Sequence, residues 1–171
     1  VMVSGGRRAG KTYLLQAFSS GRRTIYHAST RQSAAVELAS FTDQVRQVLA
    51  SGRLPPGYAF PDWSTALDFL SEHAGPSRLV AILDDFPFLA DSSPGLENVV
   101  QRWWDQSGRQ SRVMLVLCGT AGAPACALPE LATLSLQIQA MDYRAAGRFV
   151  PRLSAAGKAI VYGILGGTPL Y

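Results

Sequence analysis

The sequence predicts an α/β domain, a three-layer sandwich around a mostly parallel five-stranded sheet, followed by a short helical segment. Three observations carry that expectation. Short apolar runs alternate with stretches of helical periodicity. The first run opens into a glycine-rich stretch, and the third ends in two adjacent aspartates. Hydrophobic residues make up 47% of the 171 residues and charged residues 16%, which suits one compact unit and excludes a disordered chain.

The apolar runs are "VMVS" (1–4), "TIYHA" (24–28), "LVAIL" (79–83), "VMLVLC" (113–118) and "LSLQI" (134–138). Alternating with helical patterns, these runs read as the strands of a mostly parallel sheet. After the second run, Leu38, Phe41, Val45 and Val48 recur at helical spacing, with Ser29 or Thr30 as the expected cap. Pro55, Pro56 and Gly57 break the chain. Asp62 then caps a helix carrying Trp63, Ala66, Leu67 and Leu70. A further helix places Leu96, Val100 and Trp103 on one face and stops before Gly108. Residues 119–133 read as loop. Residues 143–165 read as two helices separated by Pro151, the second capped by Ser154 and carrying a stripe of Ile160, Val161, Ile164 and Leu165. The expected division is a core over 1–142 and a lid or hinge segment over 143–171. Gly166-Gly167 would end the last helix, and Thr168-Pro169 would fix an extended exit.

The stretch "GGRRAGKTYLL" (5–15) has the Gly-x4-Gly-Lys-Thr spacing of a phosphate-binding loop, the Walker A pattern. Gly5, Gly6, Arg7, Arg8, Ala9 and Gly10 would wrap their N–H groups around phosphate oxygens. The helix that follows, through Tyr13, Leu14 and Leu15, adds its positive N-terminal end. The chain has fourteen arginines and two lysines, and one lysine is Lys11. Its flexible point charge suits β- and γ-phosphates better than a planar guanidinium does. The Thr12 hydroxyl is the expected ligand of Mg²⁺.

"RLVAILDDFPFL" (78–89) supplies the other half, a Walker B pattern. A buried strand delivers Asp84 and Asp85 to its C-terminal edge, where ligands bind in an open parallel sheet. Asp84 would hold Mg²⁺ opposite Thr12, and Asp85 would polarise the attacking water. Asp84 follows Lys11 by 73 positions, and that gap contains the second strand. An extra strand there is the arrangement of ATPases with an added catalytic acid. Thr120, after the fourth strand, is placed where a γ-phosphate sensor would sit.

The net charge of +4 comes from scattered arginines, apart from Arg7-Arg8 and Arg22-Arg23, so nucleic acid is a weakly supported partner. His27 and His73 have no partners at metal-ligand spacing. Cys118 lies in an apolar run and Cys126 in a loop, which fits a reducing, cytoplasmic setting rather than a disulfide framework. No apolar run reaches the length of a membrane span. The ends "VMVS" and "GGTPLY" read as those of a piece of a longer chain.

Together "GGRRAGKTYLLQAF", "LVAILDDFPFL", "VMLVLCGT" and "YGILGGTPLY" resemble the prokaryotic, archaeal-type P-loop ATPases of the signal-transduction (STAND), AAA-like class. "GGTPLY" is similar to the Gly-x-Pro element of that class. The resemblance implies ATP and Mg²⁺ as ligands, with Lys11, Thr12 and Asp84 at matching positions. It also implies a helical lid over 143–171 and an attached C-terminal effector region or protein partner. Three departures stand out. Gly6 replaces a common Arg, Asp85 replaces a Glu, and "GAPACALPELATLSLQI" lacks the Arg expected before the fifth strand.

The function these features imply is an ATP-driven conformational switch. A nucleotide-binding module with little hydrolysis is the alternative, favoured by Asp85 and the absent Arg. The ATPase part of a DNA-processing protein is a third reading, resting on charge and family neighbours.

Overall fold

The computed structural model describes residues 1–49, 54–120 and 132–168. Five strands form a single parallel sheet: β1 (Met2–Gly5), β2 (Thr24–Ala28), β3 (Leu79–Asp84), β4 (Val113–Thr120) and β5 (Ser135–Ile138). Their spatial order is β2-β3-β4-β1-β5, and every pairing is parallel. The helices are α1 (Lys11–Ser19), α2 (Ala34–Leu49), α3 (Trp63–His73), α4 (Phe86–Ser92), α5 (Leu96–Trp103), α6 (Tyr143–Ala146) and α7 (Ala155–Leu165).

Alternation along the strands splits the core into two layers. Ile25, Ala81, Leu83, Leu115 and Leu117 face helices α2 to α5, packing with Phe41, Val45, Trp63, Leu67, Leu96 and Trp103. The opposite face, with Val3, Val80, Ile82, Val116 and Cys118, packs on Leu15 and Phe18 of α1. In the larger layer the buried indoles keep their donors occupied, Trp63 on Ser93 Oγ at 3.1 Å and Trp103 on Ser71 Oγ at 2.8 Å. β3 is buried along its whole length because it lies between two strands and under helices on both faces.

Asp62 caps α3 through Thr65 N–H at 2.7 Å, and Ser154 caps α7 through Gly157 N–H at 3.2 Å, as the sequence suggests. Four local expectations change. The first helix starts at Lys11, before Tyr13. Helix α2 starts at Ala34 rather than beside Ser29 or Thr30, whose hydroxyls instead donate to the Glu37 carboxylate. Beyond α5 the chain continues as a π-helical turn, Trp104–Gly108, so Gly108 closes that turn. Gly119 and Thr120 belong to β4, because both pair with β1 rather than opening a loop. Cys126 and Pro169 lie outside the described residues.

The stripe on α7 is not core. Ile160 is 64% exposed and Ile164 76%, and no residue of that helix is buried. Among the described residues no helix is long and apolar enough to cross a membrane.

Candidate nucleotide site

The site forms where β1, β3 and β4 end on the same edge of the sheet. Residues 6–10 loop from β1 into α1, with Arg8 at φ 64° and Gly10 at φ 91°, both left-handed. Such turns point successive N–H groups inward, and α1 adds its N-terminal end. Gly5 is needed for a reason that sequence reading missed. A Cβ there would lie 2.5 Å from the Ile138 carbonyl oxygen of neighbouring β5. The glycine lets the two strands approach as well as starting the loop.

Lys11 is buried at the start of α1, and its Nζ donates to the carbonyls of Gly5 at 3.1 Å and Gly6 at 2.9 Å. These contacts hold the ammonium inside the loop it would serve. Thr12 Oγ1 donates to Asp84 Oδ2 at 2.8 Å, across 72 positions of sequence. A hydroxyl and a carboxylate brought together this way are the hard oxygen donors that Mg²⁺ takes, so the residues present fit that ion. Among the described residues no cluster of three or more His, Cys, Asp or Glu side chains offers another metal site.

Asp84 is the hub. Its Oδ2 also accepts from the Tyr26 phenol at 2.6 Å, and its Oδ1 accepts from the Asp85 N–H at 3.0 Å. Burial, together with the Asp84 hydrogen bond and charge, pushes the Tyr26 phenol up, so it stays a donor throughout the ordinary pH range. Burial also pushes the Cys118 thiol up, and the Asp84 carboxylate beside it adds to the effect. Tyr26, Asp84 and Cys118 belong to the face that packs on α1, on three consecutive strands.

Asp85 takes a different position. It stands at the start of α4 with φ 54°, a strained conformation for a non-glycine residue. Burial raises its carboxyl pKa first and the Asp84 charge second, while Lys11 and Arg31 pull it down. Thr120 ends β4 in register with Gly5, so it stands at the mouth of the loop with its side chain exposed. The structure therefore brings the phosphate loop, Asp84, Asp85 and Thr120 to one edge. Tyr13, at 78% exposure on α1, points to solvent.

Three features escaped the sequence reading. Tyr26 carries no motif of its own, although alternation in "TIYHA" sets it on the face opposite His27. His27 and Glu37 form a fully buried pair at 2.8 Å. Glu37 Oε1 accepts from Ser29 Oγ, Thr30 N–H, Thr30 Oγ1 and Gln32 N–H, at 2.8 to 3.2 Å. The carboxylate pins the loop after β2, on which Arg31 sits. Nothing local in the sequence announces that role for a single Glu in a helix.

Solved structures share this fold. The Walker-type ATPase of Pyrococcus abyssi superposes with a TM-score of 0.61 at 16% identity, covering 99% of this chain and 59% of that one. The Aeropyrum pernix ORC2 protein, solved as ADPNP–ADP complexes, gives 0.57 at 15% identity over 88% of this chain and 44% of that one. A chain of the E. coli MS115-1 HORMA:CdnC:Trip13 complex gives 0.55 at 12% identity, covering 95% and 58%. The chain thus shares the parallel α/β fold of these structures. The chain spans 59% of the length of the Pyrococcus protein. No protein-family model and no curated protein sequence matches it.

Proposed function

We propose that this chain is the Mg-ATP-binding domain of a P-loop ATPase that hydrolyses ATP to drive a conformational switch. The observation that carries the proposal is the Thr12–Asp84 contact at 2.8 Å, beside a buried lysine held by its own loop. Two segments far apart in sequence converge on the oxygen donors and the cation that a magnesium–triphosphate needs.

In this reading Lys11 leaves the carbonyls of Gly5 and Gly6 for the β- and γ-phosphates, and the loop N–H groups of residues 6–12 take the remaining oxygens. Thr12 and Asp84 would hold Mg²⁺, which when bound neutralises phosphate charge. Asp85 orients a water for attack on the γ-phosphorus. The bond to the β–γ bridging oxygen breaks, giving ADP and inorganic phosphate. Thr120 senses the γ-phosphate.

Membership of the signal-transduction class of these ATPases, with residues 143–171 as a lid coupled to a protein partner or effector domain, forms part of the proposal. The exposed apolar side chains of α7 support a surface that is covered in another state. A cytoplasmic setting follows from that class.

A second reading is favoured by Asp85. Its strained backbone and its short side chain limit its reach as a water-orienting base. The chain would then bind ATP as a conformational ligand and hydrolyse it slowly. Calorimetric titration of Mg-ATP into wild type and Lys11→Ala tests the shared core of both readings. Loss of binding by the folded mutant is expected, and equal affinity in the two proteins would overturn them. Single-turnover hydrolysis then separates the two.

A further inference from the structure

Arg31 is exposed, and its backbone has φ 59°, a left-handed conformation that a non-glycine residue rarely adopts. Strain of that kind persists only where the surroundings impose it. Here they do. Thr30 and Gln32, the residues on either side, both donate their N–H groups to buried Glu37, at 2.8 and 3.2 Å. Glu37 is in turn braced by His27 at 2.8 Å. The turn is therefore locked from beneath, and its tip carries an arginine.

The guanidinium has a defined place. Its carbon lies 3.6 Å from the centroid of the Phe88 ring, one turn into the helix that Asp85 begins. The salt bridges among the described residues are His27–Glu37, Arg46–Asp43 and Arg109–Asp105, and Arg31 is in none of them. A flat cation parked on an aromatic face keeps its N–H fork free for an anion.

The sheet order says which anion. β2 and β1 lie on opposite sides of β3 in the order β2-β3-β4-β1-β5. Ala28 pairs with Asp84, and Ser29 N–H donates to the Asp84 carbonyl at 3.1 Å, so the Arg31 turn begins directly beside the two aspartates. Lys11 reaches this edge of the sheet from the β1 side and Arg31 from the β2 side. A phosphate between these cations, next to the residue assigned to the attacking water, is the terminal one.

We propose that Arg31 is a second cation of the phosphate site, which reads the γ-phosphate of a nucleoside triphosphate. The proposal rests on the nucleotide reading above. Its specific content is that Arg31 distinguishes a triphosphate from a diphosphate, whereas Lys11 and the loop bind both.

The test is calorimetric titration of Mg-ADPNP and Mg-ADP, at constant salt, into wild type, Arg31→Gln and Arg22→Gln. A non-hydrolysable triphosphate makes the result independent of turnover. Arg31→Gln is expected to weaken ADPNP about tenfold and ADP less than about twofold. Arg22, at the far end of α1 and bonded to the Phe18 carbonyl, controls for the loss of one positive charge. Arg31→Gly, for which the left-handed turn is unstrained, repeats the measurement should the glutamine variant not fold. Equal weakening of both nucleotides, no weakening, or the same loss in Arg22→Gln would overturn the role of Arg31. If wild type binds neither nucleotide, the nucleotide reading falls and this one with it.

Discussion

Tyr26 donates its phenolic hydroxyl to Asp84 at 2.6 Å, on the same carboxylate oxygen that receives Thr12. The two residues lie on adjacent strands, where Ala28 and not Tyr26 pairs with Asp84. The long side chain reaches two positions along the sheet. Its effect is to hold the carboxylate toward α1, where a metal ion between Thr12 and Asp84 would need it.

Tyr26→Phe keeps the ring and removes that donor. A hydrogen bond to a charged group contributes about 1.5–3 kcal/mol, so urea unfolding at pH 7 should show a loss in that range. Mg-ATP affinity should fall several-fold, and ATP affinity in excess EDTA should not change. A mutant as stable as wild type, with the same magnesium dependence, would show that the contact orients nothing.

Asp84 and Asp85 should separate in function. Asp84 accepts from Thr12, Tyr26 and the Asp85 N–H, whereas Asp85 stands just before α4, at its N-cap position. Asp84→Asn should weaken Mg-dependent binding about tenfold or more. Asp85→Asn should leave binding within about twofold and lower single-turnover hydrolysis by about 100-fold, the scale of a lost general base. Equal effects of both changes on ATP affinity would contradict this division.

The His27–Glu37 pair makes stability depend on pH. Burial holds the His27 pKa below its ordinary 6.5, outweighing the nearby carboxylate. Its buried Nδ1 has no hydrogen-bond partner among the described residues, which suits a neutral ring carrying its proton on Nε2. Burial alone would raise the Glu37 carboxyl, but the donors from Gln32, Thr30 and His27 hold it below its ordinary 4.5. Both folded pKa values are depressed, so the unfolded chain takes up protons first. The unfolding free energy should be full above pH 6.5, fall as pH drops through that value, and fall further below 4.5. Glu37→Gln should lose at least about 2 kcal/mol at pH 7, since a neutral amide cannot accept all these donors. Flat stability from pH 7 to 5 in chemical denaturation would refute the neutral-histidine assignment.

Gly167 is the last position at which a helix stop and a conformational joint can be told apart. The Met141 N–H donates to the Gly167 carbonyl at 2.8 Å, and the Tyr162 hydroxyl donates to the Met141 carbonyl at 3.3 Å. A Cβ on Gly167 would overlap the Met141 backbone. Gly167→Val should break this clasp, leaving Lys11-dependent ATP binding in place while exposing the Met141 amide to hydrogen exchange. If residues 143–168 form a lid, ATP should raise protection there in wild type and not in the mutant. Identical protection in both would leave the segment a helix stop.

Spacing and periodicity were enough for the architecture. All five strands lie where short apolar runs stand; burial on both faces demands such a run for central β3, whereas β5 is an exposed edge strand. The bent loop between β1 and α1 and the sheet-edge place of Asp84-Asp85 were legible for a local reason. Glycines, a lysine, a hydroxyl and strand-end carboxylates at fixed spacing are what a bent loop and a sheet edge require. The helix start at Ala34 was not, because Ser29 and Thr30 had a better acceptor in Glu37 than a helix end. Tyr26 on Asp84, 58 positions away, and Arg31 on Phe88 depend on which strands become neighbours and in what register. Local sequence carries no record of that choice. It is made when the whole core packs, and only the tertiary structure brings those side chains within reach of one another.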